Sequence, residues 1–143
     1  MTTRFHRFNE SGYSIPLADE QYFKAINKLS SEEHTQFAEI ELVYVDEKGI
    51  VSINREYLGK EYVTDIITFS YQDDSRQPVE ATLYCCAQRI AEQAHEFGES
   101  ENREFLRVFI HGLLHLCGYN DATEQERFVM KEREDFYLEK LCK

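Results

Sequence analysis

The chain has 143 residues, of which 42% are apolar and 30% charged, a composition typical of one globular domain with a substantial core and not of a disordered segment. Its formal net charge of −11 disfavours broad nonspecific binding to nucleic acid, so any RNA partner must be bound by a local patch. No apolar run has the length of a membrane span, and the N-terminal residues lack the apolar region of a secretory signal. The four cysteines form no CxxC pair, and we expect them to be reduced. We therefore expect a single domain over residues 1–143, without membrane attachment, in the cytoplasm.

The N-terminal half of the chain predicts two strands, each followed by a helix. Residues 4–8 alternate loosely, as in an edge strand, and apolar residues then recur at helical spacing from Asp19 to Leu29. Residues 37–45 are typical of a strand, and Asp46 and Gly59 are suited to begin and end the helix after it. Within these elements we expect Ala38, Ile40, Leu42 and Tyr44 to share one strand face, and Ile50, Ile53 and Tyr57 to share one helix face.

The C-terminal half predicts two more strands and then three helices. Strands at 66–71 and 81–85 flank a polar loop at 72–78, and Gly98 ends the helix that starts at Ala87. The helix from Asn102 to Cys117 is apolar nearly all round, which indicates burial in the middle of the domain. In the charged helix 123–141, the residues available for packing are Phe128, Val129, Phe136 and Leu141. The order β-α-β-α-β-β-α-α-α predicts an α+β fold with a small mixed sheet and helices packed on it.

Two histidines in the buried helix predict a metal site. His111 and His115 are four residues apart, so both imidazoles lie on one helix face. Gly118 can end the helix in a left-handed conformation, and the chain can then return Asp121 to the same point. Two nitrogens, one oxygen and an open position form a ligand set typical of catalytic zinc. The spacing HxxxHxxGxxD also matches the metal-binding frame of metzincins.

Each of these three residues has a structural alternative. A histidine in an apolar helix can simply be a hydrogen-bonded core residue, although two such residues must find partners for four ring nitrogens. Asp121 can cap the last helix, with Glu124 closing a capping box, but Thr123 and Glu126 form an equally good box. If Thr123 is the cap, the Asp121 carboxylate is free to bind metal.

Gly112 separates this motif from zincin proteases. Those enzymes carry Glu directly after the first His, as general base, in the pattern HExxH. Glycine inside a helix costs about 1 kcal/mol relative to alanine, so its presence at 112 suggests close approach by another backbone or room for a ligand. Proteolysis by the usual zincin route is therefore disfavoured.

The residues from His111 to Tyr119 (HGLLHLCGY) resemble the H-G-x-L-H-L-x-G-Y-D-H signature of the YbeY family, the single-strand-specific endoribonucleases and rRNA maturation factors. A second family segment, N-x-x-Y-R-x-K followed by T-D-V-L-S-F, is similar to residues 54–60 and 64–69. The resemblance implies a metal-dependent endoribonuclease whose partners are rRNA and the ribosome. It also implies that His111 and His115 bind one divalent ion, by default zinc, with nickel or another first-row ion as alternatives.

The chain departs from the family pattern at three positions. Asp121 occupies the place of the third ligand, a histidine in the family, and its negative charge should make a bound water less acidic. Leu58 stands where the family has an arginine thought to contact RNA, which leaves Arg55 and Lys60 as candidate phosphate contacts or as solvated charges at a helix end. Thr82 replaces a family carboxylate. Two other functions therefore stay open: a non-cleaving ribosome or rRNA assembly factor, and a metal-dependent hydrolase of another bond.

Overall fold

The helices and strands follow one another in the predicted order. The computed structural model describes residues 2–72, 74 and 76–142. The strands are β1 (Arg4–Asn9), β2 (Phe37–Val45), β3 (Ile66–Ser70) and β4 (Val79–Cys86). The helices are α1 (Asp19–Glu33), α2 (Glu47–Leu58), α3 (Ala87–Glu96), α4 (Glu101–Leu116) and α5 (Glu124–Leu141). Residues 73 and 75 of the predicted 72–78 loop lie outside the described residues.

The four strands form one mixed sheet in the order β1-β2-β4-β3. β1, β2 and β4 are parallel, with Leu42 beside Leu83 in the register of β2 and β4. β3 runs antiparallel to β4 and leaves its other edge unpaired by any described strand. The predicted mixed sheet is therefore confirmed, and β1 and β3 are its two edges.

Helix α4 lies at the centre of the helical layer. It packs against α1, α3 and α5, and it also contacts β3 and β4. Most of its apolar residues are buried, as its sequence predicted. Because side chains alternate along a strand, Leu83 belongs to the main core beneath α4, whereas Ile67 and Cys86 form a smaller cluster with Ile50 of α2 on the other face. The sheet thus separates α2 from α4.

Local sequence signals define both ends of α2 and the starts of α4 and α5. Asp46 accepts a hydrogen bond from the Gly49 amide at the start of α2, and Gly59 ends that helix with a φ of 67°. Ser100 caps α4, and Thr123 caps α5 through a capping box with Glu126. The start of α5 leaves Asp121 outside the helix, as the alternative with Thr123 as cap required.

Three predicted faces differ from the observed ones. A register irregularity between Phe37 and Glu39 puts Phe37, not Ala38, in the core at the start of β2. Tyr57 of α2 is 60% exposed, because that helix buries Ile50 and Asn54 instead. α5 does not bury the predicted set, and Phe128 is 59% exposed. The buried residues of α5 are Met130, Glu134, Tyr137 and Leu138.

No helix in the described part of the chain is long and apolar enough to cross a membrane.

Candidate metal centre

The two histidines lie near the C-terminal end of α4, and Asp121 lies in the segment between α4 and α5. Gly118 has a φ of 103°, which turns the chain just after the helix as the sequence predicted. His111 and His115 are largely buried, whereas the Asp121 side chain is 42% exposed. The helix therefore fixes two donors, and the turn brings the third to them.

The three side chains converge on one point. The two Nε2 atoms are 3.0 Å apart, and Oδ2 of Asp121 is 3.2 Å from Nε2 of His111 and 3.3 Å from Nε2 of His115. Tetrahedral zinc with bonds of about 2.0–2.1 Å holds its ligand atoms about 3.3 Å apart. The three residues fit one first-row divalent ion.

A backbone carbonyl orients His115. Nδ1 of His115 lies 2.9 Å from the carbonyl oxygen of Tyr119, which can only accept, so Nδ1 donates and the Nε2 lone pair faces the centre. The Tyr119 hydroxyl donates in turn to Glu33 at the end of α1, at 2.8 Å. The Gly-Tyr tail of the motif thus ties the turn to α1 as well as to His115.

The Glu134 carboxylate orients His111. Nδ1 of His111 donates to Oε2 of Glu134 at 2.6 Å, and Arg107 donates to Oε1 of the same carboxylate at 2.9 Å. Burial alone would lower the pKa of His111, but the hydrogen bond and charge of Glu134 outweigh it and raise that pKa. For Glu134, burial favours the neutral acid, yet His111 and Arg107 hold the pKa of the carboxyl below its usual value. A buried carboxylate behind a metal-binding histidine is a recurrent device for fixing its tautomer and increasing its basicity.

A polar network connects Glu134 to Asp65, which lies just before β3. Arg107 also pairs with Glu104, whose side chain is 1% exposed. The amide of Gln93 donates to both Glu104, at 3.2 Å, and Asp65, at 3.1 Å. Neither Glu134 nor Arg107 is among the site residues predicted from the sequence. The available signal was a carboxylate in the Met130–Leu138 stripe of α5, together with charged residues in the otherwise apolar α4.

Asp121 is held by a residue of α5. Because Thr123 caps that helix, the Asp121 carboxylate is not used as a cap. The Arg127 guanidinium donates to the carbonyl of Ala122 at 2.9 Å and to that of Asp121 at 3.4 Å. These contacts restrain the only one of the three donors that lies outside a helix.

Gly112 makes room for the sheet. A Cβ atom at this position would lie 2.6 Å from Cδ1 of Ile66 and 3.4 Å from Cδ1 of Leu83. The close neighbours are therefore side chains of β3 and β4, and the expectation of another backbone or a ligand at this point was wrong. Glycine lets α4 pack directly on the β3 edge, which places the histidines beside that edge.

A cleft of about 310 Å³ opens at the three donor atoms. Its other walls are residues 64–68, which lead into and form most of β3, together with Asn54 and Leu58 of α2 and Tyr62 in the segment after that helix. Arg55 lies on a different part of the surface, where its Nε donates to Glu61 at 3.1 Å. The Lys60 ammonium is 6.0 Å from the ring centre of Tyr62. The role of Arg55 and Lys60 in RNA binding stays a prediction.

Thr82 lies away from the centre. On β4 it alternates with Leu83, which faces α4, and it accepts a hydrogen bond from the Tyr71 hydroxyl at 3.0 Å. Its side chain is therefore directed to the sheet face opposite α4. The replacement of a family carboxylate by Thr82 leaves the three donor atoms and their partners in place.

An α+β domain with two helix-borne histidines and one carboxylate around a cleft has a ligand set that could hold a divalent metal ion. Comparison with known proteins identifies the family. The family described as Endoribonuclease YbeY matches residues 8–142, and the chain belongs to this family.

Individual relatives extend over most of the chain. Endoribonuclease YbeY of Karelsulcia muelleri is 33% identical over 95% of this chain and 89% of its own length. The protein of the same name from Chlorobaculum tepidum is 42% identical over 82% and 85%. That from Ureaplasma urealyticum is 42% identical over 68% of this chain and 64% of its own length, just under two thirds of that relative. The solution structure of TM1509 from Thermotoga maritima has the same fold, with a TM-score of 0.68 and 25% identity over 95% of this chain and 88% of that one.

Proposed function

We propose that this protein is a metal-dependent endoribonuclease, specific for single strands and acting in rRNA maturation, formed by one domain over residues 1–143. The observation that carries the proposal is the convergence of three donor atoms within 3.3 Å, in a chain that belongs to the endoribonuclease YbeY family. His111, His115 and Asp121 bind one divalent ion, for which zinc is the first candidate.

Each residue of the centre has a definite part in this mechanism. A bound divalent ion supplies Lewis acidity toward a phosphate oxygen and toward water. Glu134 and the Tyr119 carbonyl hold the two Nδ1 protons, so that both Nε2 lone pairs are presented to the ion. Arg127 restrains the Asp121 carbonyl and thereby the carboxylate. The cleft beside β3 receives the RNA strand.

The partners proposed from the sequence are rRNA and the ribosome, in the cytoplasm. The four cysteines are free thiols, two of them buried, which agrees with a reducing compartment. Arg55 and Lys60 are the proposed phosphate contacts. Lys60 lies beside Tyr62 at the rim of the cleft. Arg55 would have to replace its hydrogen bond to Glu61 by one to a phosphate. The family match favours cleavage over the non-cleaving assembly factor. The missing Glu at position 112 disfavours peptide hydrolysis.

Single-stranded rRNA fragments and matched histidine variants test the proposal. The zinc-loaded protein should cleave the fragments, chelation should stop cleavage, and His115→Ala should be inactive. His95→Ala is the control, since His95 is an exposed histidine of α3 that is not among the residues lining the cleft. Tight ribosome binding without cleavage by the wild-type protein would instead support the assembly factor.

Elemental analysis of Asp121→Ala tests the third ligand and should show reduced metal content. Unchanged stoichiometry and affinity would contradict ligation by Asp121.

A further inference from the structure

The rim of the cleft carries an unusual group of exposed apolar side chains. Eight large hydrophobic residues of the described chain are exposed, and three of them, Tyr57, Leu58 and Tyr62, lie within six consecutive residues. We call residues 57–62 the rim segment. Leu58 and Tyr62 line the cleft that contains His111, His115 and Asp121. Clustering of this kind beside a functional site marks a surface that contacts a ligand.

The backbone of the rim segment is fixed by α2. Gly59 adopts its left-handed conformation and donates to the carbonyl of Arg55, and the Lys60 amide donates to the carbonyl of Asn54 at 3.2 Å. The side chain of Asn54, which is 1% exposed, donates to the carbonyl of Tyr62 at 3.0 Å. The rings are thus exposed from an ordered support, so a ligand that stacks on them need not order the backbone first.

The side chains of this segment match the parts of an unpaired nucleotide. Tyr57 rests edge-on against Phe69 with ring centres 5.3 Å apart and leaves 60% of its surface exposed. Tyr62 is 54% exposed, and the Lys60 ammonium lies 6.0 Å from its ring centre. Aromatic rings stack on bases of any sequence, and a neighbouring cation can bind the phosphate that links them.

The rest of the cleft favours contact with bases over contact with phosphates. None of the described residues that line this cleft is Lys or Arg. A second cleft, which also reaches His111 and Asp121, is lined by four cationic residues: Arg103, Arg107, Arg127 and Lys131. Leu58 stands at the position where the resemblance predicts an arginine that contacts RNA. An apolar side chain there cannot bind phosphate, but together with Tyr62 it forms a surface on which a base plane can lie.

We propose that the rim segment binds unpaired bases of single-stranded RNA by stacking, with Tyr62 as the main contact, and that it determines the preference for single strands. This inference rests on the proposed nuclease function. Bases in a duplex are already stacked on each other and paired, so they are not free to lie on Tyr62. The continuity of the rim with the cleft at the metal centre favours the substrate over a second copy of the chain.

Fluorescence anisotropy with the zinc-loaded full-length protein tests this proposal. The probes are a short oligoribonucleotide, the same chain with abasic sites in its central part, and the corresponding duplex; gel analysis verifies that each probe is intact. The variants are Tyr62→Ala, Tyr62→Trp and the control Phe128→Ala, which removes a ring of similar exposure from α5. We expect the wild-type protein to bind the intact single strand about 5- to 100-fold more tightly than the abasic probe. Tyr62→Ala should lose this difference, whereas Tyr62→Trp and Phe128→Ala should retain it.

The possible outcomes separate the rim from the proposed function. If Tyr62→Ala binds all probes like the wild-type protein, or the wild-type protein binds intact and abasic probes equally, the stacking proposal is overturned while rRNA cleavage can still be intact. Loss of self-association in Tyr62→Ala, seen by sedimentation with RNA binding unchanged, would assign the rim to a second copy of the chain and also overturn it. If the wild-type protein neither binds nor cleaves RNA, the nuclease function itself fails and the stacking proposal with it.

Discussion

Substitution of Glu134 by Gln tests whether the carboxylate behind His111 tunes the metal centre. Glu134→Gln keeps the size of the side chain and an oxygen that can accept from Nδ1, but it removes the charge that acts on His111 and Arg107. A hydrogen bond to a charged acceptor is about twice as strong as a neutral one. Arg107 keeps its pairing with Glu104, so the fold should persist.

We expect zinc affinity to fall about 10- to 100-fold in this variant, the usual effect of losing an outer partner of a ligating histidine. This corresponds to about 1.4–2.7 kcal/mol of binding free energy. The measurement is competition for zinc against a chelator of known affinity at constant pH. Urea unfolding of the metal-free protein should show a smaller loss, because Gln remains hydrogen-bonded in the same place.

The matched control for this experiment is Asp135→Asn, the same acid-to-amide change at the next residue of α5. Asp135 is about half exposed and pairs with Lys131 instead of the centre, so its variant should bind zinc like the wild-type protein. Zinc affinity of Glu134→Gln within twofold of wild type would refute the assignment of an orienting role to Glu134. An equal loss in both variants would indicate that the overall charge of α5, and not the contact with His111, controls affinity.

Three further substitutions test separate parts of the structure. Arg127→Gln should weaken zinc binding about 3- to 10-fold in the same competition assay, because the carbonyl of Asp121 loses its restraint, while urea unfolding changes little. Glu33→Gln should lower stability by about 1–3 kcal/mol at neutral pH. Burial favours the acid form of Glu33, but hydrogen bonds from two tyrosines and an arginine lower its pKa. The stability that the ionised carboxylate contributes is therefore present above the unfolded pKa of about 4.3 and is lost as pH falls through the lower folded pKa. Because Gln does not titrate, the stability of the variant should depend less on pH below about pH 4.5. Gly112→Val should destabilise the protein by about 1–3 kcal/mol, since its Cβ would displace Ile66; unchanged thermal unfolding would contradict the close packing of α4 on β3.

The order and type of the elements were predictable because strong local signals coincided with the tertiary structure. The Asp46 cap and the glycines at 59 and 118 have the predicted positions, and the alternation in β2 agrees with burial of Ile40, Leu42 and Tyr44. Prediction failed where packing partners, not local pattern, decide burial. Which apolar residues of α5 are buried depends on the face of α5 that packs on α4, and the sequence of α5 alone does not show which face that is.

The candidate site also contains residues that the sequence predicted and residues that only the packing of helices brings to it. His111 and His115 follow from helical spacing. The sequence left two candidates for the N-cap of α5, Asp121 and Thr123, and the structure shows that Thr123 is the cap. Glu134 could not be paired with His111 from sequence, because the two are 23 residues apart on different helices and meet only through the packing of α5 on α4. For Leu58, the sequence shows that the family's arginine is missing. Only the structure shows that Leu58 lies with Tyr62 in the wall of the cleft.

The charges around His111 indicate why this centre suits a cation. Four carboxylates lie near its imidazole or are connected to it through the polar network: Glu134, Glu104, Asp121 and Asp65. Arg107 is the guanidinium that pairs with Glu134 and Glu104. Without an ion, the structure can reduce this excess by protonating His111, which agrees with the raised pKa of that histidine. A divalent ion at the three donor atoms would reduce the excess further, and it would also join α4 to the turn that carries Asp121. The same charges that orient the ligands therefore link metal binding to the stability of this part of the fold.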